Sequence, residues 1–531
     1  MHTRKNLIHK TPAWLESAVF YHIYPQSFQD TNNDGIGDIK GIIRRLDYLQ
    51  SLGVNAIWLN PCFVSPFQDA GYDVADYYRV APRYGTNTDL ISLCKKAHQH
   101  GIKVFLDLVP GHTSIEHPWF KMSGRHRRNK YSDRFIWTSE LFDRGDGTLN
   151  FIQGYAPRNG NYATNFFYCQ PALNYGFARP DPKKSWQQSV NAPGPTANRQ
   201  ELIKIISYWL DMGVDGFRVD MAFSLVKNDP SHRETINLWR GIFREIRLLY
   251  PQAVFISEWG NPEEAIAAGF DIDFLLPFGV GGYADLILNE KSFFRRRNSI
   301  GISSFLQFYL KQAAAVKGKG LISVPGSSHD IKRPGSNERT ARDLKVIFTF
   351  LLTWPGIPLV YYGDEIGMRF IKGLPSKEGG YYRTGARTPM QWDSGRNAGF
   401  SAAERNLLYL PIDPHRNRPT VQSQQNDPES LLFHVKKLIA LRKSHRSLQA
   451  TGSLEPVYAP KNSGQFAYIR EYKNERFLIV LNPSDSSSKI SLNGIKTDNK
   501  SLKLGHGVSA SVTERGCVIR LSGVSYGIFQ L

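Results

Sequence analysis

Gly216-Phe217-Arg218-Val219-Asp220 is a short apolar run that ends on an arginine and an aspartate two residues apart. Leu202, Ile203, Ile206, Trp209 and Leu210 fall at helix-like intervals before it, and Met212-Gly213 stops that helix. The run therefore reads as a buried strand entered from a helix. Alternate side chains of a strand share a face, so Arg218 and Asp220 point the same way. A guanidinium beside a carboxylate lowers the acid's pKa and holds it ionised, a state that suits a nucleophile as well as an ion pair. Taken alone, such a pair is a salt bridge of no special meaning.

Further strands give it meaning. Val254-Phe255-Ile256-Ser257 ends on Glu258, the strand that passes Ser323 leads to His329-Asp330, and Val104-Phe105-Leu106-Asp107-Leu108-Val109 leads to His112. Four apolar strands ending in polar residues are the mark of a parallel barrel, whose strand ends and following loops build the site. Ala18–Tyr24, Asn55–Asn60, Gly269–Phe274 and Ile357–Tyr362 supply four more strands, with helical patterns over Ile42–Leu52, Leu90–Ala97 and Ala341–Phe350 between them. The sequence thus predicts a (β/α)8 barrel. Periodicity disappears after His112 until about Arg179, which reads as a functional excursion inserted after strand 3 and resembles a small lid domain. Beyond a helix at Leu431–Leu441 the pattern turns to alternation, with a hairpin of Phe466–Arg470 and Phe477–Leu481 around Lys473-Asn474. The expected domains are residues 1–111 and 179–447 for the barrel, 112–178 for the lid and 448–531 for a C-terminal antiparallel β-sandwich.

The composition fits that architecture. A chain of 531 residues exceeds one small core, and 41% hydrophobic with 21% charged residues is globular. No stretch has the apolar length of a membrane span. The basic opening Met1–Leu7 lacks the apolar core of a secretory signal. Four scattered cysteines, Cys62, Cys94, Cys169 and Cys517, exclude a disulfide scaffold and a thiolate metal site, so a cytoplasmic location is expected. The net charge of +19, with the runs Arg125–Arg128 and Arg295–Arg297, raises nucleic-acid binding. No nucleic-acid motif accompanies either run, and both read as solvated faces.

In Asp30-Thr31-Asn32-Asn33-Asp34-Gly35-Ile36-Gly37-Asp38, oxygen-bearing side chains recur at every second position around a glycine turn. This spacing can wrap a hard cation. Gly41 stands where a helix-pair calcium loop would carry its closing glutamate. The alternative is an Asx-rich turn that caps the next helix.

In combination, Tyr21-His22-Ile23-Tyr24-Pro25-Gln26-Ser27-Phe28, Asp107 to His112, Gly216 to Asp220, Glu258, His329-Asp330 and Arg387-Thr388-Pro389-Met390-Gln391-Trp392-Asp393 resemble the conserved blocks of the α-amylase family of glycoside hydrolases. The resemblance covers nearly the whole chain and is closest to oligo-1,6-glucosidases, α-glucosidases and trehalose synthases. It implies Asp220 as nucleophile, Glu258 as acid and Asp330 as the acid that binds ring hydroxyls. It implies Asp69, Tyr72, His112, Arg218, His329 and Arg387 as substrate-binding, although an arginine in a loop such as Arg387 is otherwise surface. Similar loops hold a structural calcium ion, with Asp30, Asn32, Asp34, Ile36 (through its carbonyl) and Asp38 as ligands here. Gly111, Ala172 and Ser328 depart from the family, which has Asn, Asp and Asn there; the family's second calcium site is therefore not expected. His98 and His100, at a helix end, read as solvated.

Retaining cleavage needs an ionised carboxylate and a protonated carboxyl about 5 to 5.5 Å apart. The expected activity is a retaining, exo-acting α-glucosidase on a short oligosaccharide or disaccharide, with transglucosylation open to it. Met221, after the nucleophile, is neither the valine nor the threonine of many relatives, so linkage stays open. The alternatives are a trehalose synthase and, in another class, a non-catalytic sugar-binding relative.

Overall fold

The computed structural model describes residues 11–145, 147–277, 280–297, 300–336, 339–461 and 463–531; the basic opening Met1–Leu7 lies outside them. Eight strands form one parallel sheet: β1 (Phe20–Ile23), β2 (Ala56–Leu59), β3 (Lys103–Leu108), β4 (Gly216–Val219), β5 (Val254–Ser257), β6 (Ile272–Phe274), β7 (Leu321–Ser323) and β8 (Leu359–Tyr361). Their order is β7-β6-β5-β4-β3-β2-β1-β8. The circle closes where Ser323 bridges Ile357 in parallel and the Ile357 N–H donates to the Ile322 carbonyl at 2.9 Å. All eight expected strands are present, most of them shorter than their apolar runs, with β3 shifted by one residue to Lys103–Leu108.

Every residue of β1, β2, β4 and β5 is buried, yet the two faces differ. Tyr21, Ile57, Leu106, Phe217 and Phe255 face the helices in one large core. Phe20, Ala56, Trp58, Phe105, Val254, Ile256, Ile272, Phe274 and Leu359 fill the barrel in a second. Gly216 belongs to this filling: a Cβ there would stand 2.6 Å from the Phe105 ring and 2.0 Å from the Val254 carbonyl oxygen. Above the apolar filling, the inward positions nearest the strand ends carry His22, Asp107 and Arg218, so the polar layer sits at the mouth.

Helices Asn87–Gln99, Pro193–Asp211, Arg233–Leu249, Ala341–Thr353 and Leu431–Ser444 pack outside. The helix expected over Ile42–Leu52 is two, Ile39–Arg44 and Leu46–Leu52. They break at Arg45, whose φ of −105° and ψ of 11° leave helical values. His98 and His100 are not merely solvated: His98 lies 2.7 Å from Asp215 and His100 3.0 Å from Asp47. The Arg295–Arg297 run is likewise more than a solvated face. Arg296 pairs with Asp343 at 2.6 Å and Arg297 with Asp485 at 3.6 Å, which joins the barrel to the C-terminal domain.

The insertion after β3 contains a short helix, Pro118–Ser123, and a hairpin of Asn150–Ile152 and Tyr162–Thr164. Irregular chain continues to Ala192, where the next barrel helix begins. The C-terminal domain has six strands, β9 (Ser453–Tyr458), β10 (Phe466–Tyr472), β11 (Glu475–Asn482), β12 (Ser488–Asn493), β13 (Leu502–Thr513) and β14 (Gly516–Gln530), all paired antiparallel. The first half of β14 pairs with β12 and the second with β11. A single sheet thus folds over a common core of Ile469, Leu478, Val480, Ile490, Ile519 and Phe529. Among the described residues no helix is long and apolar enough to cross a membrane.

Candidate active site

Sheet register places Asp107 of β3 beside Arg218 of β4, both pointing into the barrel. Arg218 Nη1 donates to Asp107 Oδ1 at 2.8 Å and to Asp220 Oδ1 at 2.9 Å, while Nη2 lies 2.6 Å from Glu258 Oε1. One buried guanidinium therefore holds three carboxylates. The sheet ladder extends past the strand ends to aim two of them. The Asp220 N–H donates to the Leu108 carbonyl at 2.8 Å, and the Glu258 N–H to the Val219 carbonyl at 3.0 Å. Met221, next to Asp220, adopts the left-handed region (φ 41°, ψ 44°), and its N–H donates to Glu258 Oε2 at 2.9 Å. A non-glycine residue held there is backbone strain kept by its surroundings. Behind Glu258, Asp273 accepts from the Ser257 hydroxyl at 2.7 Å and the Trp259 N–H at 3.1 Å, bracing the loop.

One cation cannot neutralise three anions, and this revises the expectation that Arg218 keeps Asp220 ionised. Burial pushes Asp220 up to about 7, with Asp107 and Asp69 adding to it, against Arg218. Burial likewise pushes Glu258 up to about 7, supported by Asp220 and Asp330 and opposed by Arg218. The cluster holds a proton at neutral pH more readily than free carboxylates do.

Asp330 is treated differently. Its Oδ1 takes Arg383 Nη1 at 2.6 Å and Arg387 Nη2 at 3.3 Å, and its Oδ2 lies 3.1 Å from His329 Nε2. Burial works to raise its pKa, but His329, Arg383 and Arg387 outweigh it and hold Asp330 well below the usual carboxylate range. Burial leaves His329 itself neutral, near 3, so the two guanidiniums carry most of that effect. Arg387 is no surface arginine: it is 2% exposed, and its Nε donates to the His329 carbonyl at 3.0 Å.

Tyr72 joins the two groups. Its hydroxyl donates to Asp107 Oδ2 at 3.0 Å, accepts from Asn60 Nδ2 at 3.0 Å and lies 2.9 Å from His329 Nε2. Its ring lies nearly parallel to that of His329. Glu258, Arg218, His329 and Asp330 line one cavity above Trp58 and Phe274. Asp69 accepts from Gln170 Nε2 at 2.8 Å, faces Arg383 at 3.7 Å, and is pushed up to about 7 by burial. His112 is buried with Asn165 Nδ2 at 3.2 Å from its Nδ1. Ser328 stays local, its hydroxyl accepting from the Asp330 N–H at 3.1 Å. Arg333 neutralises Asp364, at 2.8 Å, in the loop after β8.

All nine residues expected at the barrel mouth are thus brought together there, Glu258 and Asp330 half-buried and the other seven buried. Asp107, Asn165, Gln170, Lys227 and Arg383 were not expected. Asp107 and Arg218 become neighbours through sheet register, which a sequence does not print. Lys227 left a faint signal, as a lysine ending the otherwise apolar Leu225-Val226.

The 30–38 loop lies apart from this cluster. Asp30 accepts from the N–H groups of Asn32, Asn33 and Gly35 and from the Ser401 hydroxyl. Asp34 accepts from the Ile36 N–H at 2.8 Å, and Asp38 caps the next helix through the Gly41 N–H at 2.7 Å. The Asx turns and the cap are therefore real. No side chain fits at Gly41, where a Cβ would stand 2.0 Å from the Gln29 carbonyl oxygen. The loop's three carboxylates, amide and carbonyl are all hard oxygen, but among the described residues no three acidic side chains converge as they would around a metal ion.

Comparison with known proteins agrees with this architecture. The α-amylase catalytic-domain family matches residues 22–451, and the C-terminal domain of maltogenic amylase matches residues 457–514. The chain is 31% identical over 516 residues to an α-glucosidase of Culex pipiens, covering 90% of this chain and 83% of that one. It is 29% identical over 513 residues to a trehalose synthase/amylase of Mycobacterium tuberculosis, covering 87% and 80%. The crystal structure of isomaltulose synthase from Erwinia rhapontici NX5 superposes with a TM-score of 0.83 at 26% identity, covering 98% and 99%. With its strand-end acids, its barrel and its C-terminal sheet all accounted for, the chain belongs to the α-amylase family of retaining glycoside hydrolases.

Proposed function

We propose that this enzyme is an exo-acting α-glucosidase of short α-glucosides that works through a covalent glucosyl intermediate on Asp220. The observation that carries this reading is the guanidinium of Arg218, which holds Asp220 and Glu258 on adjacent nitrogens beside Asp330. Such a grip favours the short carboxylate separation, about 5 to 5.5 Å, of retaining enzymes over the longer one that leaves room for water. Asp220 attacks the anomeric carbon, and Glu258 gives its proton to the leaving oxygen. Glu258 then takes a proton from the incoming water or sugar as the glucosyl bond to Asp220 breaks.

Asp330 and Asp69 accept hydrogen bonds from the ring hydroxyls, His112 and His329 reach the same ring, and Tyr72 lies against its C–H face. Arg387 and Arg383 fix Asp330 from behind. Acids backed by two arginines suit a pocket that ends after one sugar ring, which supports exo action.

A second reading, an isomerase of the trehalose synthase kind, is favoured by the near-complete superposition on an isomaltulose synthase and by the likeness to a trehalose synthase/amylase. Both readings share one site and differ in whether water or the released sugar takes the glucosyl group. NMR analysis of products from maltose, isomaltose, sucrose and trehalose tests them: free glucose supports hydrolysis, and a rearranged disaccharide supports isomerisation. Binding without turnover of any of the four would indicate a non-catalytic relative and overturn both.

We also propose that Asp30, Asn32, Asp34, the Ile36 carbonyl and Asp38 hold a structural calcium ion. A cytoplasmic setting suits the four buried free cysteines.

A further inference from the structure

Lys227 is a buried lysine in the loop after β4, 8% exposed, and Asn165 belongs to the lid. Lys227 Nζ lies 2.9 Å from Asn165 Oδ1 and 2.6 Å from the Ser224 carbonyl. An ammonium only donates, so the asparagine must turn its oxygen to Lys227. Its amide nitrogen then faces His112 Nδ1 at 3.2 Å and Met221 Sδ at 3.9 Å, both acceptors. Burial and Lys227 bring His112 down to about 3, so its ring is neutral and carries one proton. With Nδ1 accepting, that proton is on Nε2. Nε2 is buried and makes no hydrogen bond within normal limits among the described residues.

Gly111 belongs to the same device. A Cβ at that position would stand 2.7 Å from Asn165 Nδ2. The departure from the family's asparagine at 111 is what lets the lid amide reach the histidine.

We propose that Lys227 and Asn165 are positioning residues that fix His112 as its Nε2–H tautomer, so that the histidine offers a hydrogen-bond donor to a hydroxyl of the bound sugar. The tautomer is then set when the lid docks on the barrel, because the two residues come from different domains. The sugar contact rests on the function proposed above; the tautomer does not.

Protein labelled with 15N in histidine tests this. In a long-range 1H–15N spectrum, His112 of the wild type should show a protonated Nε2 and an acceptor Nδ1, and the reverse pattern would overturn the proposal. Asn165→Asp keeps the shape and still accepts from Lys227, but it cannot donate, so Nδ1 must take the proton. The expected result is a reversed tautomer and a KM raised about ten- to a hundred-fold, with a smaller change in kcat. An unchanged tautomer with unchanged KM would refute it. Should that variant fail to fold, Lys227→Met frees the amide to rotate and should give mixed tautomers; a pure Nε2–H ring there would count against the proposal. A wild type with the expected spectrum and no turnover of any α-glucoside would sink the proposed function and leave the relay standing.

Discussion

Two groups of acids face each other across the barrel mouth, and they are neutralised in opposite ways. On the β3–β5 side, Asp107, Asp220 and Glu258 share Arg218 alone, and burial drives Asp220 and Glu258 up to about 7. On the β7 side, Asp330 is held low by two cations, Arg383 and Arg387, of which Arg383 also faces Asp69 at 3.7 Å. Two things separate them: the ratio of cations to carboxylates, and exposure, since the Asp330 side chain is 28% exposed against 10% for Asp220 and 15% for Glu258. A cation-poor group suits proton transfer near neutral pH; a cation-rich one suits a permanent anion that binds hydroxyls.

The largest effects should come from the cation-poor side. Asp220→Ala removes the nucleophile and should lower kcat by about 10⁴-fold or more. Glu258→Gln removes the acid and should cost about 10²- to 10⁴-fold, least for substrates whose leaving group needs no proton. Steady-state rates on a natural disaccharide and on an aryl glucoside check both. Full activity in folded protein with either change would end the assignment. The wild-type profile of kcat/KM against pH should be a narrow bell near neutrality. Activity falls at low pH as Asp220 takes a proton, and at high pH as Glu258 loses one.

Asp330→Asn comes next, with a loss of about 10²-fold in kcat/KM, because it leaves the chemistry's two carboxylates in place. The stability of the two variants should diverge with pH. Glu258 is raised when folded, so its stabilising contribution is complete below its unfolded pKa of about 4.3 and is lost as pH rises through about 7. Glu258→Gln should therefore be more stable than wild type at pH 8, by about 1 to 3 kcal/mol, with the difference gone at pH 4. Asp330 is lowered when folded, so its contribution is present above about pH 3.9 and is lost as pH falls through its folded pKa. Asp330→Asn should be less stable than wild type at pH 8, by about 1 to 3 kcal/mol, because the buried Arg387 and the half-buried Arg383 lose an anionic partner. Melting curves of both variants at pH 4, 6 and 8 check the signs. The same sign for both at pH 8 would show that burial alone sets these pKa values.

Most of the architecture was legible because short apolar runs, four of them leading to Asp, Glu or His, recur between helical stretches. The site acids were legible for the same reason: Asp220, Glu258 and Asp330 stand at strand ends. Register was not legible, and so Asp107 was quoted only as part of a strand, although it touches Arg218. The charge of Asp220 was misjudged because its own arginine lies two residues away, whereas the acids that compete for that arginine, Asp107 and Glu258, lie 111 and 40 positions from Arg218 in sequence. Arg383 and Asn165 sit in irregular loops where no periodicity marks an inward side chain. Ile42–Leu52 looked continuous because its apolar face runs through Arg45 unbroken.

The 30–38 loop is the limiting case of the same rule and carries the smallest expected effect. It gathers Asp30, Asp34 and Asp38, and among the described residues no Lys, Arg or His pairs with any of them. Backbone N–H groups and two hydroxyls satisfy those carboxylates instead. N–H groups supply hydrogen bonds but no full positive charge, so three anions repel across one short loop. A bound calcium ion would be the missing cation, and its affinity would add to folding stability by mass action, about 2.7 kcal/mol at a hundredfold excess over Kd. Chelation should then lower the melting temperature by a few degrees, and calcium should restore it where magnesium does not, since magnesium demands a stricter octahedron. Asp34→Asn should weaken that response while leaving kcat unchanged, because the loop shares no hydrogen bond with Arg218 or Asp330. A melting temperature indifferent to chelator and calcium alike would mean that hydrogen bonds and water suffice to hold two buried carboxylates and the exposed Asp34 together, and that the cation count matters at the barrel mouth only because water is excluded there.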